Sequence, residues 1–94
     1  MSEHTLFLVQ SEFAKTNPCL DQLCQMATLQ DTIILMGDSV LFAQDTRLEK
    51  YSFVYMLETE IDLIAGVLPK HINVLSYATF ADLVLDFKRC ICLK

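Results

Sequence analysis

Apolar residues fall along this chain in short runs and one-sided stripes that alternate with each other. Thr5-Leu6-Phe7-Leu8-Val9 is a β-type apolar run and predicts a first strand. Asn17-Pro18 reads as a helix start, with Asn17 placed to cap and Pro18 preset for the first helical position. Leu20, Leu23, Cys24 and Ala27 follow at the spacing of one buried helical face. Ile33-Ile34-Leu35-Met36 is continuously apolar, the pattern of a central parallel strand covered on both sides. Gly37-Asp38-Ser39 then turns the chain into a short helix from Val40 to Gln44, and Asp45 to Lys50 is a polar connection. Ser52 to Leu57, rich in aromatic and β-branched residues, predicts a third strand. Glu58 to Ala65 predicts a helix with acidic residues near its N-terminus, stopped at Gly66, and Pro69 breaks the chain again. Ile72 to Ser76 predicts a fourth strand. Tyr77 to Lys88 predicts a final amphipathic helix, striped by Phe80, Leu83, Val84 and Phe87. Cys90-Ile91-Cys92-Leu93-Lys94 reads as a short apolar tail.

Strands alternating with helices imply right-handed βαβ units. The expected class is α/β: a single small domain over residues 1–94, with a mainly parallel sheet covered by helices on both faces. No internal repeat, low-complexity stretch or linker divides the chain.

Composition changes the picture in one respect. Hydrophobic residues make up 53% of the 94, above an ordinary level of about 45–50%, and a chain this short buries proportionally little of its surface. The excess predicts an interface, so the isolated chain is expected to self-associate or to need partner subunits, through Phe42 and the exposed side of the final helix. The net charge of −5 and dispersed basic residues argue against direct nucleic-acid binding, which needs clustered Lys and Arg. No apolar run is long enough to span a bilayer. Met1-Ser2-Glu3-His4 has no basic n-region, so the cytoplasm is the expected compartment.

Candidate chemistry is confined to a few residues. There is no GxGxxG, Walker loop, GxSxG or HExxH, and two glycines cannot build a phosphate cradle. No cofactor and no metal site is expected, because the spacings of Cys19, Cys24, Cys90 and Cys92 are not those of a zinc site. Ligands of open parallel sheets sit beyond the C-terminal strand ends. That rim would hold Gln10-Ser11, Gly37-Asp38-Ser39, Glu58 and Ser76-Tyr77, with Asp38 expected to cap the helix after it. The candidate thiols are Cys19 and Cys24. Cys19 in the first helical turn is favoured as a thiolate by the helix dipole, whereas Cys24 on the apolar stripe reads as packing. Cys90 and Cys92 read either as a redox-sensitive pair or as part of a frayed tail. His4 and His71 read as solvated polar residues.

Several segments, in order, resemble the DsrH/TusB family. His4-Thr5-Leu6 is similar to that family's opening strand and Ser11-Glu12-Phe13 to the step after it. Ala27 to Ala43, ATLQDTIILMGDSVLFA, resembles its helix end, apolar strand, Asp-Gly turn and next helix. Val54-Tyr55-Met56-Leu57 is similar to its third strand, Asp62-Leu63-Ile64-Ala65-Gly66 to its Asp-Leu-x-Ala-Arg-Gly segment, and Ser76-Tyr77 with Phe80 and Leu83 to its Asp-Tyr-x-x-Phe-x-x-Leu pattern. The chain departs from the family in lacking the arginine before Gly66, in carrying Ser76 for an aspartate, and in the Cys90–Cys92 segment.

The resemblance implies a heterohexamer, α2β2γ2, with related DsrE/TusD-type and DsrF/TusC-type subunits. It implies an auxiliary, non-catalytic subunit of a sulfurtransferase complex that passes cysteine persulfide toward tRNA wobble-uridine 2-thiolation. The alternatives are a DsrEFH-type sulfur-oxidation relay and a stand-alone thiol sulfur carrier or sensor. The family's first-helix cysteine position falls at Leu23, one residue before Cys24, and one residue turns a helix by about 100°. Cys24 therefore keeps its packing role.

Overall fold

The first strand begins before the apolar run that predicts it and is paired on both sides. The computed structural model describes residues 2–42, 45–59 and 71–93. Within them lie β1 (Ser2–Val9), α1 (Thr16–Met26), β2 (Thr32–Leu35), β3 (Phe53–Leu57), β4 (Ile72–Leu75), α2 (Tyr77–Asp86) and β5 (Phe87–Leu93). Short 3-10 turns occupy Phe13–Lys15, Gly37–Phe42 and Thr46–Leu48. The five strands form one all-parallel sheet in the order β4-β3-β2-β1-β5. The α/β class expected from the sequence is the class observed.

β2 is buried at every position, as its unalternating sequence demands. The register runs Leu6↔Thr32 to Val9↔Leu35 on one side of it and Thr32↔Phe53 to Leu35↔Met56 on the other. In-register residues of parallel strands share a face. Phe7, Val9, Ile33, Leu35, Val54 and Met56 thus point together at Cys19, Leu20 and Leu23 of α1. Leu6, Leu8, Ile34, Leu57 and Leu75 point the other way, toward Phe80, Leu83 and Val84 of α2.

Handedness explains this division. From β1 to β4 the chain steps across the sheet in one direction, and from β4 it returns past all of them to β5 beside β1. Right-handed crossovers travelling in opposite directions lie on opposite faces. The return crossover carries one helix of 10 residues, which runs back along the strands and is about 10–12 Å across with its side chains. Four inter-strand steps of about 4.8 Å make about 19 Å. One short helix therefore covers its face incompletely, and no residue of α2 is fully buried.

Several local expectations are corrected. The expected helix Tyr77–Lys88 ends at Asp86, and the expected tail is the strand β5. Its Ile91 and Leu93 alternate with Cys90 and Cys92, and it pairs with β1 from Thr5↔Arg89 to Val9↔Leu93. α1 begins at Thr16 behind Lys15, with no side-chain cap, because Asn17 is engaged elsewhere. Pro18 is tolerated there since first-turn N–H groups lack intrahelical acceptors. Of the expected short helix, Val40 to Phe42 belong to a 3-10 turn that starts at Gly37, and Ala43-Gln44 lie outside the described residues. Phe42 packs, partly buried, against the α1-side core. Glu58 and Thr59 form a short 3-10 segment. The rest of the expected helix to Ala65, the Gly66 stop, Pro69 and the Asp62–Gly66 segment lie outside the described residues, as does the side chain of His4.

Candidate functional site

The rim beyond the C-terminal strand ends is organised by a serine. Ser39 is fully buried, and its Oγ lies 2.6 Å from the Val9 carbonyl, 2.7 Å from the Met36 carbonyl and 3.0 Å from the Met36 N–H. One hydroxyl hydrogen serves one of those carbonyls, while the oxygen accepts from Met36. The Met36 N–H also donates to the Val9 carbonyl at 2.9 Å. The ends of β1 and β2 are thereby tied together.

Gly37 makes the turn with φ 60°, a conformation costly to residues with a Cβ. Asp38, expected to cap, is instead exposed and makes no side-chain hydrogen bond among the described residues; Ser39 closes the turn in its place. The reason is register: one residue farther on, the side chain faces the strand ends. Gln10 reaches across the same rim, its Nε2 donating to the Met36 Sδ at 3.3 Å. Ser11 is buried against Thr16, with 2.8 Å between hydroxyl oxygens, and Thr16 donates to the Glu12 carbonyl. Glu12, Asp38 and Glu58 are exposed acidic residues along this rim, and Lys15 is exposed in the turn after β1.

The thiols are separated by the fold. Cys19 is buried (5% exposed) between α1 and the sheet. Cys19 is thus in the first turn of α1 with its side chain facing the core, which limits access to its sulfur whatever the helix dipole favours. Cys24 is half-buried at the edge of the same cluster. Five residues apart on a helix, the two sulfurs do not meet.

Beside Cys24 stands Tyr51, whose hydroxyl is buried with no nitrogen or oxygen partner. Burial first, then its contact with the Cys24 thiol and the charge of Asp31, pushes the Tyr51 phenol up to about 12. Asp31 is itself buried and accepts from the N–H groups of Thr5 and Thr28, both at 2.9 Å. Cys24, Tyr51 and Asp31 gather where β2 and β3 begin, the opposite end of the sheet from the ligand rim.

Cys90 and Cys92 sit on β5, both exposed. Burial and the neighbouring Cys92 raise the Cys90 thiol above its ordinary value. The tail expectation fails here, while the pairing expectation survives as a juxtaposition of two thiols. His71 is also corrected: its Nε2 is buried without a partner among the described residues.

Two features were not legible in advance. Tyr51 falls between the polar connection and the expected third strand, and only the fold carries it into the α1-side core. Arg47, in the polar connection, donates Nε and Nη2 to Asp45 at 2.9 and 2.7 Å, and Nη1 to Asp21 at 2.8 Å. Its Nη2 also reaches the Asn17 side-chain oxygen at 2.7 Å. The Arg47 guanidinium holds the Asp45 carboxyl below its usual range and is itself held more firmly protonated.

No group of three or more potential metal ligands occurs among the described residues. No helix among them is long and apolar enough to cross a membrane. Set against known proteins, the chain matches no protein-family model and no curated protein.

Proposed function

We propose that this chain is an auxiliary subunit of a cysteine-persulfide sulfur relay, acting by holding related small subunits and not by turnover of its own. The reading starts from the resemblance of its motifs to the DsrH/TusB family. The observation that carries it is the α2 side of the sheet. One ten-residue helix with no buried residue lies over five strands, and Leu85 on it is 83% exposed. Tyr77 is exposed on the same helix and Phe53 on the strand surface. A face of that kind is stabilised by burial against another subunit.

The favoured partners are DsrE/TusD-type and DsrF/TusC-type chains in a heterohexamer, and the favoured pathway is tRNA wobble-uridine 2-thiolation. A sulfur-oxidation relay uses the same assembly and is the alternative. Direct tRNA binding is not part of the role, because counterion release needs a basic surface. A stand-alone thiol carrier is the second reading, and the half-buried Cys24 beside Tyr51 is what favours it.

The test reconstitutes the complex from the chain and the products of its neighbouring genes, with Cys19, Cys24, Cys90 and Cys92 all replaced by serine. Sulfur-35 transfer is expected to persist wherever assembly persists. Normal assembly with lost transfer would make one of these cysteines a relay station, and absence of any assembly by the native chain would remove the subunit reading.

A further inference from the structure

β5 is an edge strand in the described sheet, and it places Cys90 opposite Leu6 and Cys92 opposite Leu8. Leu6 and Leu8 share one face, so both thiols project from that face, at its outer margin, and both are exposed. Two residues of extended chain separate their Cα atoms by about 6.6 Å. That lies at the far end of the range a disulfide accepts, whose usual Cα separation is about 5.5–6 Å with Cβ atoms about 3.8 Å apart. On a regular strand the two Cβ vectors run parallel and do not converge. Closing a 90–92 disulfide would therefore pull β5 out of its ladder with β1.

The two thiols nevertheless stand as exposed neighbours on one face of the strand. A pair too far apart for one S–S bond, yet close and free in solvent, is suited to being bridged by a third atom. With metal–thiolate bonds of about 2.3 Å, a two-coordinate bridge spans up to about 4.6 Å. Ligand count then selects the ion. No third Cys, His, Asp or Glu completes a cluster among the described residues, which disfavours zinc with its four-ligand sites. Soft thiolate ligands favour copper(I), which is stable with two. Lys88 and Arg89, exposed immediately before the pair, offset the negative charge of a bis-thiolate complex.

We propose that Cys90 and Cys92 form a two-thiolate binding site for a soft monovalent cation of the copper(I) class on the edge of the sheet. This does not rest on the sulfur-relay reading. Loading is proton exchange without redox change: two thiols and one copper(I) give a bis-thiolate complex and two protons. A thiol is mostly protonated at neutral pH, so that release is visible there.

The probe is copper(I) itself, added without oxygen to the reduced full chain in competition with bicinchoninate. One ion per chain is expected, independent of chain concentration, with proton release on binding. Cys90→Ser and Cys92→Ser should each weaken binding at least a hundredfold, whereas Cys19→Ser and Cys24→Ser should leave it unchanged. Both serine positions are exposed, and circular dichroism checks that each variant is folded. X-ray absorption on the native complex gives an answer free of any variant, with sulfur scatterers only expected. Binding that survives loss of either thiol, nitrogen or oxygen ligation, or zinc bound as tightly as copper(I) would overturn the proposal. So would ready formation of a stable 90–92 disulfide by a mild oxidant.

Discussion

Ser39 shows how much a single buried hydroxyl decides. It is held by the ends of two strands, and removing its oxygen leaves polar backbone groups buried with fewer partners. Ser39→Ala should cost about 1–3 kcal/mol, read as a melting temperature lower by several degrees, with Asp38→Ala as the nearly neutral control. The thiols are ranked by access at the same scale. Cys90 and Cys92 should alkylate first with limiting iodoacetamide, Cys24 next and Cys19 last, as mapped by mass spectrometry. Labelling of Cys19 ahead of Cys24 would contradict the burial described for α1. Tyr51 gives a pH signature. Its folded-state pKa of about 12 exceeds the ordinary tyrosine value of 10.0, so the unfolded chain loses this proton first. Stability should therefore be flat through neutral pH and fall between about 10 and about 12. Tyr51→Phe should remove that slope in urea titrations while leaving stability at pH 7 little changed.

Among the elements, the connection between β2 and β3 is held by charge, whereas most of the core is held by apolar packing. Arg47 clasps Asp45 with two nitrogens and reaches Asp21 on α1, with Asp21 well exposed. Such pairs contribute modestly at a surface, so Arg47→Ala should cost about 1 kcal/mol or less at moderate salt. The sign with acid is fixed. Because Asp45 is held below its ordinary pKa, its contribution is present above the unfolded value and is lost as pH falls through the folded one. Asp45→Asn should flatten that part of the acid limb.

Gly37 belongs to the same level, since its positive φ sets the exit angle of β2. A Cβ there would meet nothing within 4 Å. The cost of Gly37→Ala is thus conformational, about 1–2 kcal/mol, measured as a shifted denaturation midpoint with unchanged slope.

For the whole molecule the consequential feature is the unequal cover of the two sheet faces. The α1 side carries the larger buried cluster, while the α2 side relies on partly buried Phe80, Leu83 and Val84. The isolated chain should self-associate at micromolar concentrations, and the association should survive high salt, because apolar burial is not screened as charge pairs are. Leu85→Lys should shift light scattering toward monomer without unfolding the domain, since Leu85 is 83% exposed. A stable monomer of the native chain across that range would refute the interface.

The local pattern alone determined most of the strands and the class. The buried run at Ile33–Leu35 announces a central strand, and the spacing of Leu20 and Leu23 announces a helix with one buried face. Ser76, expected as the last residue of the fourth strand, instead caps α2, its Oγ accepting from the Thr79 N–H. Tertiary structure decided what lies beyond a residue's own neighbours. Phe87–Leu93 carries enough alternation for a strand, yet it continues a helical stripe without a break. Pairing with β1 settles the choice, because backbone groups left by the helix find partners there. Asn17 is a good cap by type, but Arg47, 30 residues away, takes its oxygen. Cys19 has the helix position of a reactive thiol, and only the packing of α1 on the sheet turns it inward. Cys90 and Cys92 meet for the same kind of reason: a strand puts residues two apart on one face, and nothing shorter than the sheet makes that segment a strand.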